Sequence, residues 1–285
     1  MGEGRLRRYL AYGRKVYRLD SLLDGVRDSR QNARVSMGLV ARIMLVLGTL
    51  RIRSFNALEP KLAEAGMQRA IGAPLSPGTR ACSADTLSYA LNRSDPDTAR
   101  AALVALVKHA ERNKVFREGW HGAMRFVAID GWEPHSSYER HCPACLTRQV
   151  TVKSREETAT VTQYYHAYVV ALLVNERMDV VIDMEPIRSA DVRVDAGEPD
   201  VKGHEGELTA AKRLVPRLRE TYGGWLDVLV VDALYGNGPF LSVAKQVGFG
   251  VIAVIKKKTD EPLKEALAIW SDSPPSRSHD NPHTH

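Results

Sequence analysis

Cysteine is scarce in this 285-residue chain. Cys82, Cys142 and Cys145 are too few and too unevenly placed for a disulfide framework, which excludes the small disulfide-stapled secreted folds and favours a reducing compartment. Long apolar runs are missing too: none approaches the roughly 18 to 20 residues that span a bilayer. Met1-Gly-Glu-Gly-Arg5 opens no signal peptide, so the expectation is a cytoplasmic protein with no membrane partner. A hydrophobic share of 44% is enough for a sizeable core, in one large domain or two smaller ones. The net charge of +6 is unevenly spread. Residues 1–120 carry 21 Lys and Arg against 11 Asp and Glu, which leaves 19 basic and 23 acidic residues for the remainder. A basic front before an acidic back suggests a polyanion gripped by the first and worked on by the second. An arginine-rich proteome would give the same split with no meaning attached.

The front third reads as all-helical. Arg5 to Asp28 is basic, with apolar residues at Leu6, Leu10, Leu19, Leu22 and Leu23. Val35 to Leu50 is apolar enough for a buried helix, and Ser54 is placed to cap another over Phe55 to Ala65. Ser83-Ala-Asp85-Thr starts a helix to Leu91, and Asp95-Pro96-Asp97 turns the chain into a long amphipathic helix over Thr98 to Phe116. Short arginine-rich helices suit a DNA groove or its phosphates, with Arg5, Arg7, Arg8, Arg14, Lys15 and Arg18 as candidate phosphate contacts. A solvated helical bundle fits the same pattern.

From His121 the texture changes to alternating strands and helices. Strands are expected at Met124 to Ile129, Tyr164 to Val174, Asp179 to Ile187, Leu226 to Val231 and Gly250 to Ile255, with helices at Glu207 to Tyr222 and Gly238 to Val247. The run LDVLVV reads as a strand covered on both faces, and it ends in Asp232 before a Gly-Asn-Gly-Pro turn. Arg125-Phe-Val-Ala-Ile-Asp130-Gly repeats the design. Two aspartates at the carboxyl ends of neighbouring strands, where α/β sheets do their chemistry, are a candidate metal site. Either residue alone would more often be a turn former.

Order and spacing here are similar to the catalytic domain of bacterial insertion-sequence DDE transposases, a group with a ribonuclease H-like fold. The resemblance is carried by Ala128-Ile-Asp130-Gly, Tyr164-Tyr-His166, Gly203-His-Glu205 before Leu208-Thr-Ala-Ala-Lys-Arg-Leu214, Val231-Asp232-Ala-Leu-Tyr235 and Asn237-Gly-Pro-Phe240, and covers roughly residues 30 to 270. It implies an α/β protein: a ribonuclease H-like mixed sheet over 121–270, preceded by a helical DNA-binding region over 1–120 and followed by a disordered tail over 271–285. The activity implied is DNA strand cleavage and transfer on double-stranded transposon ends, by a homo-oligomer associated with the nucleoid. Asp130 and Asp232 would then be catalytic ligands of Mg²⁺ or Mn²⁺. Such enzymes need a third acid, usually Glu, on a helix after the last core strand. Either Glu265 supplies it or the frame stops before it, and the expectation favours truncation. The product would then be a weakly active or inactive transposase. The alternatives are a DNA-binding fragment that represses an intact copy, or a nuclease of the same fold.

Four further groups invite two readings each. Cys142-Pro-Ala-Cys145 has the spacing of a zinc knuckle, with His135 or His166 as further ligands, but with no second CxxC the sequence favours two reduced thiols in a loop. Redox catalysis is the least favoured reading, since the CxxC does not open a helix after a strand. His204 and Glu205 either cap the following helix or touch DNA or metal. Lys256, Lys257 and Lys258 either meet a phosphate or form a solvated charge run, and His279, His283 and His285 belong to the tail.

Overall fold

The computed structural model describes residues 3–73, 79–117, 124–153, 158–255 and 261–272. Lys256, Lys257, Lys258 and the three tail histidines lie outside them. The chain divides into two compact units, Met1–Gly119 and Trp120–His285.

The first unit is helical: α1 Glu3–Tyr17, α2 Leu19–Asp24, α3 Met37–Leu50, α4 Phe55–Leu58, α5 Ala65–Ile71, α6 Ala84–Leu91 and α7 Pro96–Arg112. Its core gathers Val40 and Ile43 of α3 with Leu58, Leu62, Ile71, Leu87 and Ala90, all fully buried. Side-chain caps set the starts. Ser36, Ser54 and Ser83 accept from the backbone N–H three residues on, at 3.2, 3.1 and 3.2 Å, and Asp95 accepts from Asp97 N at 2.9 Å. Pro96 then occupies the first turn of α7, where its missing N–H costs nothing. The single helix expected over Phe55 to Ala65 is instead broken into α4, a 3-10 turn (Glu59–Ala63) and α5. Pro60 is the cause, since it has no N–H to bond the carbonyl of Asn56 and tightens the chain into the turn. Helix α7 also stops at Arg112, four residues short of the expected Phe116.

The second unit is α/β, built on a mixed six-stranded sheet. Its strands are β1 Phe126–Ser137, β2 Leu146–Lys153, β3 Thr158–Val174, β4 Val180–Pro186, β5 Val228–Val231 and β6 Gly250–Ala253. The path runs β2-β3-β1-β5-β6, with β4 also paired to β3. At 17 residues β3 is the spine. Its first half carries β2, its second half carries β4, and β1 runs antiparallel along it from Tyr164 to Val174. On the other side of β1 the sheet turns parallel, β1 to β5 and β5 to β6. Two features differ from expectation. Strand β1 does not end at Asp130 but continues to Ser137 against β3, and the loop after it contains β2. The helices are α8 Ala190–Asp195, α9 Glu207–Tyr222, α10 Gly238–Gln246 and α11 Glu261–Asp272. Ser271 and Asp272, expected in the tail, complete α11.

Helix α9 packs on β3 and β4, burying Ala210, Ala211, Leu214, Val215, Leu218 and Tyr222. Beside that apolar stripe, Arg213 and Arg217, one turn apart, meet buried carboxylates. Arg217 Nε donates to Asp183 Oδ2 at 2.8 Å and its Nη1 to Glu185; Arg213 Nε donates to Glu185 Oε1 at 2.8 Å and its other nitrogens to Glu205. Asp183, Glu185 and Glu205 are 1%, 5% and 9% exposed, so each needs its arginine. Burial alone would push the Glu185 carboxyl up. Hydrogen bonds and charge from Arg217 and Arg213 outweigh that and hold it below its ordinary value of 4.5.

Arg217→Ala leaves two buried carboxylates short of a partner, and is expected to cost the second unit about 3–5 kcal/mol in urea denaturation at pH 7. A carboxyl held low in the folded state contributes stability above its unfolded value of 4.5 and loses it as pH falls through its folded value. The gap between wild type and variant should therefore narrow on acidification below pH 4.5, and a gap unchanged at pH 3 would contradict the clamp.

Candidate functional site

The parallel register of β1 and β5 pairs Ile129 with Val231. Asp130 and Asp232 follow these two residues, so they stand side by side where the parallel pairing stops and the two chains part. Asp130 is exposed and Asp232 half-buried. One oxygen of each is held by local backbone: Asp130 Oδ1 accepts from Gly131 N and Asp232 Oδ1 from Leu234 N, both at 2.8 Å. After Asp232 the chain turns through Tyr235 to Asn237, which caps α10 by accepting from Phe240 N at 3.1 Å.

A third carboxylate reaches this place from α9. Glu207, the first residue of that helix, lays its carboxyl group over the backbone of Gly131, where a Cβ would fall only 2.7 Å from Glu207 Cδ. Gly131 is thus required for close approach and not for an unusual φ. Tyr235, fully buried, donates its phenol proton to Glu207 Oε1. Burial pushes the Tyr235 phenol well up from its ordinary value, and the hydrogen bond to Glu207 and the charges of Glu207, Asp130 and Asp232 add to it. Tyr235 therefore stays a proton donor and fixes the direction of the Glu207 carboxylate. The charges of Glu207, Asp130 and Asp232 all act on the Tyr235 phenol.

Glu207 is the functional candidate that the sequence reading missed, because a glutamate in the first turn of a helix is explained by the helix dipole alone. Glu265, the acid singled out instead, is exposed on α11 and is not among the charges that act on Tyr235. Glu205 is buried and His204 half-buried. Glu205 binds Arg213 and accepts from Arg188 N at 3.0 Å. His204 Nε2 accepts from Thr147 N at 2.9 Å and lies 2.9 Å from Thr147 Oγ1, while its Nδ1 lies 3.1 Å from Ala190 N. Neither group is available to DNA or metal.

A second cluster lies at the β1–β2 connection. Among the described residues, Cys142, Cys145 and His166 are the one group of three such side chains whose donor atoms all fall within 4.8 Å of one another; the three carboxylates do not all come so close. The sulfurs are 3.6 Å apart, and each is 3.4 Å from His166 Nε2. Of the two histidines named as further ligands, His166 is in place. His135 is its exposed ladder neighbour on β1. His141 stacks on Tyr164 with ring centroids 4.7 Å apart.

In the first unit, Arg5, Arg7, Arg8, Lys15 and Arg18 are exposed. Arg14 is not free for a phosphate, as its Nε donates to Asp20 at 2.8 Å and Nη2 to the carbonyl of Ala70. Tyr9 and Tyr12, 52% and 58% exposed, stand among the exposed cations of α1, of which Arg8 donates its Nε–H to Gly4 O at 3.4 Å.

Compared with known proteins, the chain matches no protein-family model, no curated protein and no solved structure.

Proposed function

We propose that this chain is a metal-dependent DNA strand-cleaving and strand-transferring enzyme of the ribonuclease H-like kind, as the resemblance to insertion-sequence transposases implies. The observation that carries the reading is the side-by-side placement of Asp130 and Asp232 on adjacent parallel strands, with the Glu207 carboxyl of α9 lying over Gly131, the next residue after Asp130. The sheet order supports it, since an antiparallel β4-β3-β1 half joined to a parallel β1-β5-β6 half is the arrangement expected of that core. Glu207 takes the place of the third acid, which is then sought neither at Glu265 nor beyond residue 285.

Asp130, Asp232 and Glu207 would hold Mg²⁺ or Mn²⁺. Such ions, when bound, would supply activation of a water or a DNA 3′-hydroxyl and charge stabilisation at the leaving oxygen. The protein's own contribution is positioning. Tyr235 keeps the Glu207 oxygen directed, Gly131 gives it room, and the exposed Asp130 faces substrate. Exposed Arg5, Arg7, Arg8 and Lys15 of the tyrosine-bearing α1, with Arg18 just after it, supply cations for phosphates of double-stranded DNA, a sequence-independent grip. Work on two transposon ends calls for a homo-oligomer, in the bacterial cytoplasm at the nucleoid.

Purified protein with Mg²⁺ is expected to nick supercoiled plasmid. Asp130→Ala, Asp232→Asn and Glu207→Gln should each lower the rate at least about 100-fold, the size of effect seen when one group that stabilises transition-state charge is removed. Glu265→Gln should be neutral. Nicking that survives Asp130→Ala would sink the reading, and loss with Glu265→Gln but not Glu207→Gln would move the third acid to α11. No cutting by folded protein that binds DNA would favour the repressor fragment.

Duplex affinity should fall steeply with salt, with a slope of log K against log salt of about −0.9 per phosphate contacted. Arg5→Ala should flatten that slope by about one, while Arg14→Ala should act on stability. A salt-independent affinity would contradict the phosphate grip.

A further inference from the structure

We infer that Cys142 Sγ, Cys145 Sγ and His166 Nε2 form a zinc site, separate from the carboxylates, that clips the loop after β1 onto the spine of the sheet. The argument begins with shape. In a tetrahedral site with Zn–S of about 2.3 Å and Zn–N of about 2.0–2.1 Å, two sulfurs stand about 3.8 Å apart and a sulfur and a nitrogen about 3.6 Å. The three separations here are 3.6, 3.4 and 3.4 Å, each about 0.2 Å inside that figure. The sulfurs are far outside the 2.03–2.05 Å of a disulfide bond, and both cysteines are free.

The ligands are also held in position by bonds that do not depend on a cation. Cys142 and Cys145 close one turn, with Cys145 N donating to Cys142 O at 3.0 Å and Cys142 N to Cys145 Sγ at 3.2 Å. The carbonyl of Pro143, between them, accepts from the hydroxyl of Ser189, a residue only 1% exposed. Directly after the turn, buried Leu146 opens β2 and pairs with Tyr165, next to His166. His166 itself sits within the longest strand, paired with β1 at His135. Two thiolates and one imidazole are soft to borderline donors. They select zinc over the magnesium that oxygen donors prefer, and three ligands leave the fourth position to solvent.

The site joins two long connections. The knuckle lies in the link from β1 to β2, and Ser189 and His204, which bind Pro143 and Thr147, lie in the link from β4 to α9. Zinc at the knuckle would steady the approach to Glu207 without touching the carboxylates.

The test uses the full chain. Protein purified without chelator is analysed for metal by mass spectrometry, and metal-stripped protein is titrated with Co²⁺. The expected results are about one zinc per chain and a Co²⁺ adduct showing thiolate charge transfer with tetrahedral d–d bands. One equivalent of zinc should bleach that adduct and excess Mg²⁺ should leave it intact. Cys142→Ser, at an exposed position, and His166→Ala should each weaken Co²⁺ binding at least tenfold, whereas Cys82→Ala, in the other unit, should keep the spectrum. A Co²⁺ spectrum of six-coordinate, oxygen-ligated type would overturn the inference on wild-type protein alone, whatever the variants do. So would binding unchanged in Cys142→Ser. Neither readout involves DNA cleavage, so the zinc site stands or falls separately from the carboxylate site.

Discussion

Two arginines against three buried carboxylates set the geometry of the second unit. Asp183, Glu185 and Glu205 are out of water, and an ionised carboxyl in that position is tolerable only if it is paired and hydrogen-bonded. Arg213 and Arg217, four residues apart on α9, meet that demand together, and Glu185 is shared between them. An apolar stripe alone would let a helix slide or rotate by a fraction of a turn at small cost. Fixed guanidinium forks do not. The same pairs that offset the burial of charge therefore fix where α9 begins, and its first residue is Glu207.

Placement of the other two acids comes from a different source, the switch from antiparallel to parallel pairing about β1. Parallel register sets Ile129 level with Val231, and the aspartates that follow have no choice but to be neighbours. Tyr235 ties the two arrangements together, since it lies just past Asp232 in the chain and its hydroxyl reaches Glu207. In the link from β1 to β2 and within β3 the donors are sulfur and imidazole. The two clusters differ in hardness, so one would not draw the other's cation.

Much of this frame can be read from the chain. The run before Asp232 is the inner parallel strand β5, Glu207 to Tyr222 is α9 to the residue, and Ser54 and Ser83 cap helices where a serine before an apolar pattern suggests they should. The failures have physical causes. Strand β2, LTRQVTVK, is largely exposed, as are Thr158 to Thr160 at the start of β3, so no long apolar run marks them. Strand β1 runs past Asp130 through Gly131, Glu133 and Pro134, residues poor in strand preference that the β3 ladder overrides. Pro60 was a legible stop inside an expected helix. Glu207 was not legible: its role depends on a glycine 76 positions earlier and a tyrosine 28 positions later, contacts that only the sheet creates. Glu205 and His204 carried the chemistry-bearing letters, but pairing with Arg213 and Thr147 turns them inward.

The central claim is that α9 delivers Glu207 to the strand-end aspartates as one cation site. Isothermal titration of the full chain with Mn²⁺ tests it most directly, in wild type, Asp232→Ala and Glu207→Gln. The account predicts saturable binding to wild type that Asp232→Ala abolishes and Glu207→Gln weakens at least tenfold, with the fold unchanged by circular dichroism. Binding that is indifferent to Glu207→Gln would contradict it.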